Sequence, residues 1–220
     1  MNFVEFNLAG TELRALPSGA LHWPAQRLLC VSDLHLGKAE RHARRGGALL
    51  PPYEVHDTMQ RLQDDIEATV PGTVVCLGDS FDDTDAAEAV SAELSTWLAR
   101  LQAGRQWIWI AGNHDPAPVE ISGSQLAEYR LSELTFRHIA EPGAHGEVSG
   151  HYHPKASLAA RGHSVSRPAF LVDSDRLILP AYGTYTGGLR SRSDTLTKLM
   201  KPDARAILTG RPMATIPMPR

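Results

Sequence analysis

The sequence predicts an α/β fold in which two β-sheets pack face to face with helices outside. Three apolar runs, residues 27–32, 73–77 and 107–111, alternate with two amphipathic helical stretches in the first half of the chain. Each run ends at a polar cluster: Asp33-Leu-His35, Gly78-Asp79 and Gly112-Asn-His-Asp115. The second half holds only short strand-like segments, so an αβ half is followed by a β-rich half.

The elements follow in order. Residues 3–8, 12–15 and 20–23 read as short strands separated by Ala-Gly and Pro-Ser-Gly turns. The three apolar runs suit strands buried on both faces. Between the first two, Val55, Met59, Leu62 and Ile66 recur at helical spacing and make one apolar stripe. Val90, Leu94, Trp97, Leu98 and Leu101 repeat the pattern, with Asp85-Ala-Ala-Glu88 as a capping box that would open the second helix. Strand–helix–strand–helix–strand order implies parallel pairing through right-handed crossovers. Ligands in such sheets collect beyond the carboxyl ends of the strands, where the polar clusters fall. Residues 147–149, 156–159, 169–172, 176–179 and 204–209 read as further strands, with Ser174-Asp175 as a hairpin turn. Residues 125–136 fit helix and strand equally. Trp97, Trp107 and Trp109 are expected in core or sheet packing.

Composition sets the broad class. With 220 residues, 42% hydrophobic and 21% charged, the chain can bury a substantial core as one domain over residues 1–220. No apolar run approaches the roughly 18 residues of a membrane span, so no membrane association is expected. The N-terminus lacks a basic stretch followed by an apolar one, which points to a cytoplasmic location. Cys30 and Cys76 each sit in an apolar run and are expected as buried hydrophobes, not as a disulfide or reactive thiol. A net charge of −3 excludes a uniformly basic nucleic-acid module. The charge is uneven, however. Residues 54–93 carry eleven acids against Arg61, and residues 190–220 carry seven bases against Asp194 and Asp203. Such asymmetry permits a polyanionic substrate on one face.

Five polar clusters carry the chemistry: Asp33-x-His35, Gly78-Asp79-x-x-Asp82, Gly112-Asn113-His114-Asp115, His138 and Gly150-His151-x-His153. In an extended strand, residues i and i+2 point to the same side, so Asp33 with His35, and His151 with His153, could each aim two donors at one point. Imidazole, carboxylate and amide donors suit divalent Mn, Fe or Zn. Seven side chains are too many for one such ion and suffice for two if one carboxylate bridges.

These clusters resemble the calcineurin-like metallophosphoesterase superfamily, whose signature is D-x-H, G-D-x-x-D, G-N-H-[DE], a lone H and G-H-x-H. All five occur in order. The resemblance implies a four-layer α/β/β/α sandwich of two mixed sheets and a hydrolase acting on phosphate esters with two divalent metals, Mn favoured over Fe or Zn. It implies that Asp33, His35, Asp79 and His153 hold one metal and Asp79, Asn113, His138 and His151 the other, with Asp79 bridging. His145 is the alternative for the lone His. Two cations less two carboxylates would leave the site positive, attracting phosphate and activating water near neutral pH. His114 would protonate the leaving group or stabilise the transition state, with Asp115 orienting it. Asp82 is expected to shape the loop without ligating.

The chain is similar in particular to one branch, the ligase-associated DNA damage response endonucleases, through Asp33-Leu-His-Leu-Gly-Lys38, Arg44-Arg-Gly46, Leu50-Pro-Pro52 and Leu179-Pro-Ala-Tyr-Gly-Thr-Tyr-Thr-Gly-Gly188. This implies a DNA substrate, a phosphodiesterase role in repair, and a DNA ligase or helicase as partner. Lys38, Arg41, Arg44 and Arg45 are candidate contacts to the phosphate backbone or a solvated loop; their place after the first motif favours contact. The stretch from Thr186 to Gly188 either approaches substrate or makes a tight turn. His22, His42, His56 and His163 are expected to be structural or exposed. A small-molecule phosphoesterase would use the same centre, and a non-catalytic scaffold would not need its full donor set. A protein phosphatase fits less well: Asp83 stands where that branch has Arg, and Ala111-Gly-Asn-His-Asp115 where it has R-G-N-H-E.

Overall fold

The computed structural model describes residues 2–39, 53–81, 91–113, 122–160 and 163–220. One sheet runs β1 (Val4–Leu8), β2 (Thr11–Ala15), β3 (Leu21–Trp23), β4 (Leu28–Val31), β5 (Thr73–Leu77), β6 (Gln106–Ile110) and β7 (Ser124–Leu126), in that spatial order. Neighbours pair antiparallel from β1 to β4 and parallel from β4 to β7. The second sheet contains β8 (Glu128–Leu131), β9 (Leu134–Arg137), β10 (Glu147–Ser149), β12 (His163–Val172), β13 (Arg176–Ile178), β14 (Arg205–Leu208) and β15 (Ala214–Pro217), and β11 (Lys155–Ala160) pairs with β12. Its spatial order is β15-β14-β12-β13-β10-β9-β8. Here β10 is parallel to both β9 and β13, so this sheet too is mixed.

Strand alternation sorts the apolar residues into three layers. Leu28, Cys30, Val75, Leu77, Ile108 and Ile110 point into the space between the sheets and meet Phe136, Val148, Phe170, Leu177 and Ile207. Their neighbours Leu29, Val31, Val74, Cys76, Trp107 and Trp109 point outward, under the helices α1 (Glu54–Thr69) and α2 (Ala92–Gln102). Met59, Leu62 and Ile66 supply the buried face of α1; Leu94, Leu98 and Leu101 supply that of α2. On the far side, Ala169, Leu171, Ile178 and Leu208 pack with Leu196 of α3 (Asp194–Leu199). The order of layers is α/β/β/α. Because both faces of β4, β5 and β6 are covered, these strands read as unbroken apolar runs.

Residues 125–136 fall in strands, the end of β7, all of β8 and the start of β9. Leu134 and Phe136 reach the inter-sheet core by the alternation only a strand provides. The capping box at Asp85 to Glu88 lies outside the described residues; within them, Ser91 caps α2 by accepting from the Leu94 amide. Cys30 and Cys76 are buried and unlinked, and burial, with Cys76 adding to it, pushes the Cys30 thiol well up, which keeps it unreactive. No helix among the described residues is long and apolar enough to cross a membrane.

Candidate metal centre

The site forms where five strands end. Ser32 and Asp33 follow β4, Gly78 and Asp79 follow β5, and Asn113 follows β6; from the second sheet, His138 follows β9 and His151 follows β10. Backbone hydrogen bonds join these ends in pairs. Asp33 N donates to Gly78 O (3.3 Å) and His35 N to Asp79 O (2.9 Å). Gly150 N donates to His138 O (3.0 Å).

The backbone there is not extended. Asp33, His35, Asp79, His151 and His153 have φ of 53°, 46°, 46°, 70° and 46°. They are half of the ten non-glycine residues with positive φ among those described. Each such residue costs about 1–3 kcal/mol and persists only where its surroundings enforce it, a pattern that concentrates at functional sites. Strand alternation is therefore not what aims the donors, contrary to the expectation from sequence. Asp33 and His35 still converge, but His151 and His153 separate into different groups.

Two groups result, and within each the donor atoms lie within 4.8 Å of one another: Asp33, His35 and His153, and Asp79, His138 and His151. Asp33, His35, Asp79 and His138 are buried. In the first group His35 Nε2 faces His153 Nε2 at 3.3 Å, and His153 Nε2 lies 3.2 Å from Asp33 Oδ1. In the second, His138 Nε2 lies 3.4 Å from Asp79 Oδ2, 3.2 Å from His151 Nδ1 and 2.8 Å from Asn113 Oδ1. His145, by contrast, is 76% exposed and pairs with Asp175 at 3.0 Å.

This donor set fits divalent cations. Asp33 Oδ2 is engaged by the Ser32 hydroxyl and by His151 N (2.9 Å), whereas Oδ1 is buried, makes no well-formed hydrogen bond and has the His153 imidazole beside it at 3.2 Å. An orphaned buried carboxylate oxygen is costly unless something positive meets it. His138 Nδ1 lies 2.7 Å from Leu77 O, so the neutral ring donates there and turns the Nε2 lone pair toward Asp79, Asn113 and His151. In the second group acceptors therefore face one another, and a cation resolves that.

The electrostatics agree. Burial alone would raise the Asp33 carboxyl, but the His153 and His138 imidazoles and the Ser32 hydroxyl hold it below the ordinary value. Burial would lower His138, yet Asp79 and Asp33 raise it. His151 is lowered by burial and by the charge of His138.

The segment from Tyr182 to Gly188 braces the centre from behind. Tyr182 N donates to Ser32 O (2.7 Å) and Gly183 N to Asp33 O (3.0 Å). A Cβ on Gly183 would fall 2.7 Å from the Leu34 carbonyl carbon and closer to its oxygen. One on Gly188 would collide with the His153 carbonyl in the same way. The Tyr182 hydroxyl donates to Asp65 Oδ2 (2.8 Å), and the Thr184 hydroxyl bonds Asp57 Oδ2 (2.6 Å), which ties the brace to α1. Sequence reasoning passed over Ser32, Leu77 O and Asp65. Ser32 could have been suspected from its position beside Asp33; the other two have no local signal.

Lys38 is half-buried. His114, Asp115, Asp82, Arg41, Arg44 and Arg45 lie outside the described residues. His22 is buried in β3 and His56 is exposed on α1; His42 lies outside the described residues.

Residues 26–210 match the model of the calcineurin-like phosphoesterases. Among solved structures, nuclease MPE of Pseudomonas putida is 29% identical, with 98% of this chain and 100% of that one aligned at a TM-score of 0.75. Yfce, a phosphoesterase from E. coli, aligns at 12% identity over 87% of this chain and 99% of that one, with a TM-score of 0.43. No curated protein sequence matches the chain. Since the family match takes in every strand end that contributes a donor, the chain belongs to the calcineurin-like phosphoesterases and is a metal-dependent hydrolase of phosphate ester bonds.

Proposed function

We propose that this hydrolase is a two-metal phosphodiesterase that cuts DNA. The observation carrying this reading is the end-to-end likeness to a nuclease, MPE, over a centre with two donor groups. In this reading Asp33, His35, Asp79 and His153 hold one cation and Asp79, Asn113, His138 and His151 the other. Mn²⁺ is the favoured ion, with Fe²⁺ or Zn²⁺ as alternatives for a mixed N/O donor set. When bound, the cations supply Lewis-acid stabilisation of the phosphate oxygens and a water activated near neutral pH.

The chain's own part is to fix donors. Ser32 and the His151 amide hold Asp33 Oδ2, which leaves Oδ1 for the centre. Leu77 O selects the His138 tautomer. His114, next in sequence to Asn113, would deliver a proton to the leaving oxygen, with Asp115 orienting its imidazole. Lys38, Arg41, Arg44 and Arg45 would contact the phosphate backbone. A repair role with a DNA ligase or helicase as partner rests on the sequence resemblance alone.

The test is cleavage of nicked, single-stranded and duplex DNA with Mn²⁺ and with chelator, using Asp79→Asn as control. Cleavage that needs both Mn²⁺ and Asp79 supports the reading. Hydrolysis of phosphomonoesters with no cleavage of any DNA would replace it with a small-molecule phosphoesterase.

A further inference from the structure

We infer that Lys155, Arg190 and Arg192 form a rim that binds the phosphodiester backbone beside the His153 side of the centre. The inference rests on the nuclease reading and names a substrate contact for it. Lys155 opens β11, two residues after His153, so their Cα atoms are at most about 7 Å apart. That is within one or two nucleotides of a phosphate at the centre.

The chain returns to this place from elsewhere in the sequence. Leu189 N donates to Tyr152 O (3.2 Å), Lys155 N to Leu189 O (2.8 Å) and Ser191 N to Lys155 O (2.8 Å). Lys155 and Arg190 form a parallel bridge. The Lys155 ammonium donates to Thr186 O (3.3 Å), so its charge is held at the rim. Arg190 and Arg192 are exposed, and none of the three cations has a carboxylate partner among the described residues. Among the described residues, some surface cations, such as Arg14, Arg130 and Lys201, are paired with acids and others are not; Lys155, Arg190 and Arg192 are set apart by their place beside His153. Three unneutralised charges on a backbone fixed by hydrogen bonds are preorganised for a polyanion.

The flank beside His138 holds cations and carboxylates already paired with one another. A cleft of about 340 Å³ beside Asn113 and His138 is lined by Glu128, Glu141 and Arg137. Arg137 is already engaged there by Glu128 (2.9 Å) and Glu141. A strand at the centre therefore meets unpaired cations on the His153 side and neutralised pairs on the His138 side.

The experiment is DNA binding and cleavage by the Mn²⁺-loaded full chain against salt, for wild type and two triple variants. One carries Lys155→Gln, Arg190→Gln and Arg192→Gln. The other, with the same change in net charge, carries Arg27→Gln, Arg100→Gln and Arg205→Gln, exposed positions outside the rim, Arg27 at the start of β4 where Asp33 stands beyond its end. Each lost phosphate contact lowers the slope of log affinity against log salt by about 0.9, so the rim variant should lose about 2–3 units. Its kcat/KM on DNA should fall at least about tenfold relative to that on bis-p-nitrophenyl phosphate, with the control variant matching wild type. A rim variant with the wild-type slope, or a control variant losing as much, would overturn the rim while leaving the nuclease reading intact. A wild-type protein without salt-dependent DNA affinity would overturn both.

Discussion

Replacing Gly183 with Ala should damage the centre without touching a donor. The new Cβ would lie 2.7 Å from the Leu34 carbonyl carbon, where ordinary contact begins at 3.4 Å, and its clash with the Leu34 oxygen is tighter. The obstacle is backbone, which cannot rotate away, so the two segments must part by at least 0.7 Å, that is 3.4 less 2.7. That opening strains the bonds from Gly183 N to Asp33 O and from Tyr182 N to Ser32 O. Overpacking of this kind costs about 1–3 kcal/mol, and each weakened hydrogen bond adds about 1 kcal/mol. Asp33 would move with its backbone, and a displacement near 1 Å at a catalytic centre can cost about a hundredfold in rate. Urea unfolding should therefore report a loss of about 3–5 kcal/mol. Mn²⁺-dependent hydrolysis of bis-p-nitrophenyl phosphate by the folded variant should fall about a hundredfold. A Gly183→Ala protein with wild-type stability and rate would refute the idea that this segment braces Asp33.

Further outcomes are expected. Mn²⁺ at about a hundredfold excess over its Kd should stabilise the protein by about 2.7 kcal/mol, roughly 5–10 °C in Tm for a domain this size, and chelator should remove the gain. Differential scanning fluorimetry checks it. Apparent Mn²⁺ affinity should fall with falling pH. Asp79 and Asp33 outweigh burial to raise His138 above 6.5 in the metal-free protein, so a proton competes with the ion from above that pH downward. Calorimetric titration from about pH 8 to about pH 6 should show proton release on binding and progressive weakening, and a pH-independent affinity would contradict it. Tyr182→Phe removes the hydroxyl donor to Asp65 and should cost about 1.5–3 kcal/mol in urea unfolding. Ser91→Ala removes the cap of α2 and should cost about 1 kcal/mol while leaving hydrolysis unchanged.

Much of the architecture was legible because it is written in period and in punctuation. The runs that became β4, β5 and β6 are apolar on both faces, since the inter-sheet core takes Leu28 and Cys30 while the helices take Leu29 and Val31. The stripe of Met59, Leu62 and Ile66 has only one buried face and declares a helix. Residues 125–136 were ambiguous because short strands with mixed burial carry no clean period; Glu128, Tyr129 and Leu131 are each half-buried. The helix at Asp194 is too short to show a stripe, and it was not foreseen.

The centre was legible as a set of residues but not as a geometry. Motif spacing brought out Asp33, His35, Asp79, His151 and His153, and the family resemblance offered His138 with His145 as the alternative, yet strand alternation was the wrong reason for their convergence. Left-handed backbone at five of these positions aims the side chains; Asp and His adopt it more readily than most non-glycine residues, but nothing in the sequence marks where they do so. The division of His151 and His153 between two groups is the one the family resemblance implied, not the one strand alternation implied. The supports are long-range contacts, such as Tyr182 with Asp65 across 117 residues, that no local pattern encodes.

Hydrolysis of bis-p-nitrophenyl phosphate against p-nitrophenyl phosphate, by wild type and Asp79→Asn, with Mn²⁺ and with chelator, tests the two-cation diesterase most directly. Diester hydrolysis that vanishes with chelator and in Asp79→Asn is the expected result. Diester hydrolysis that survives chelation, or that Asp79→Asn retains at the wild-type rate, would contradict it.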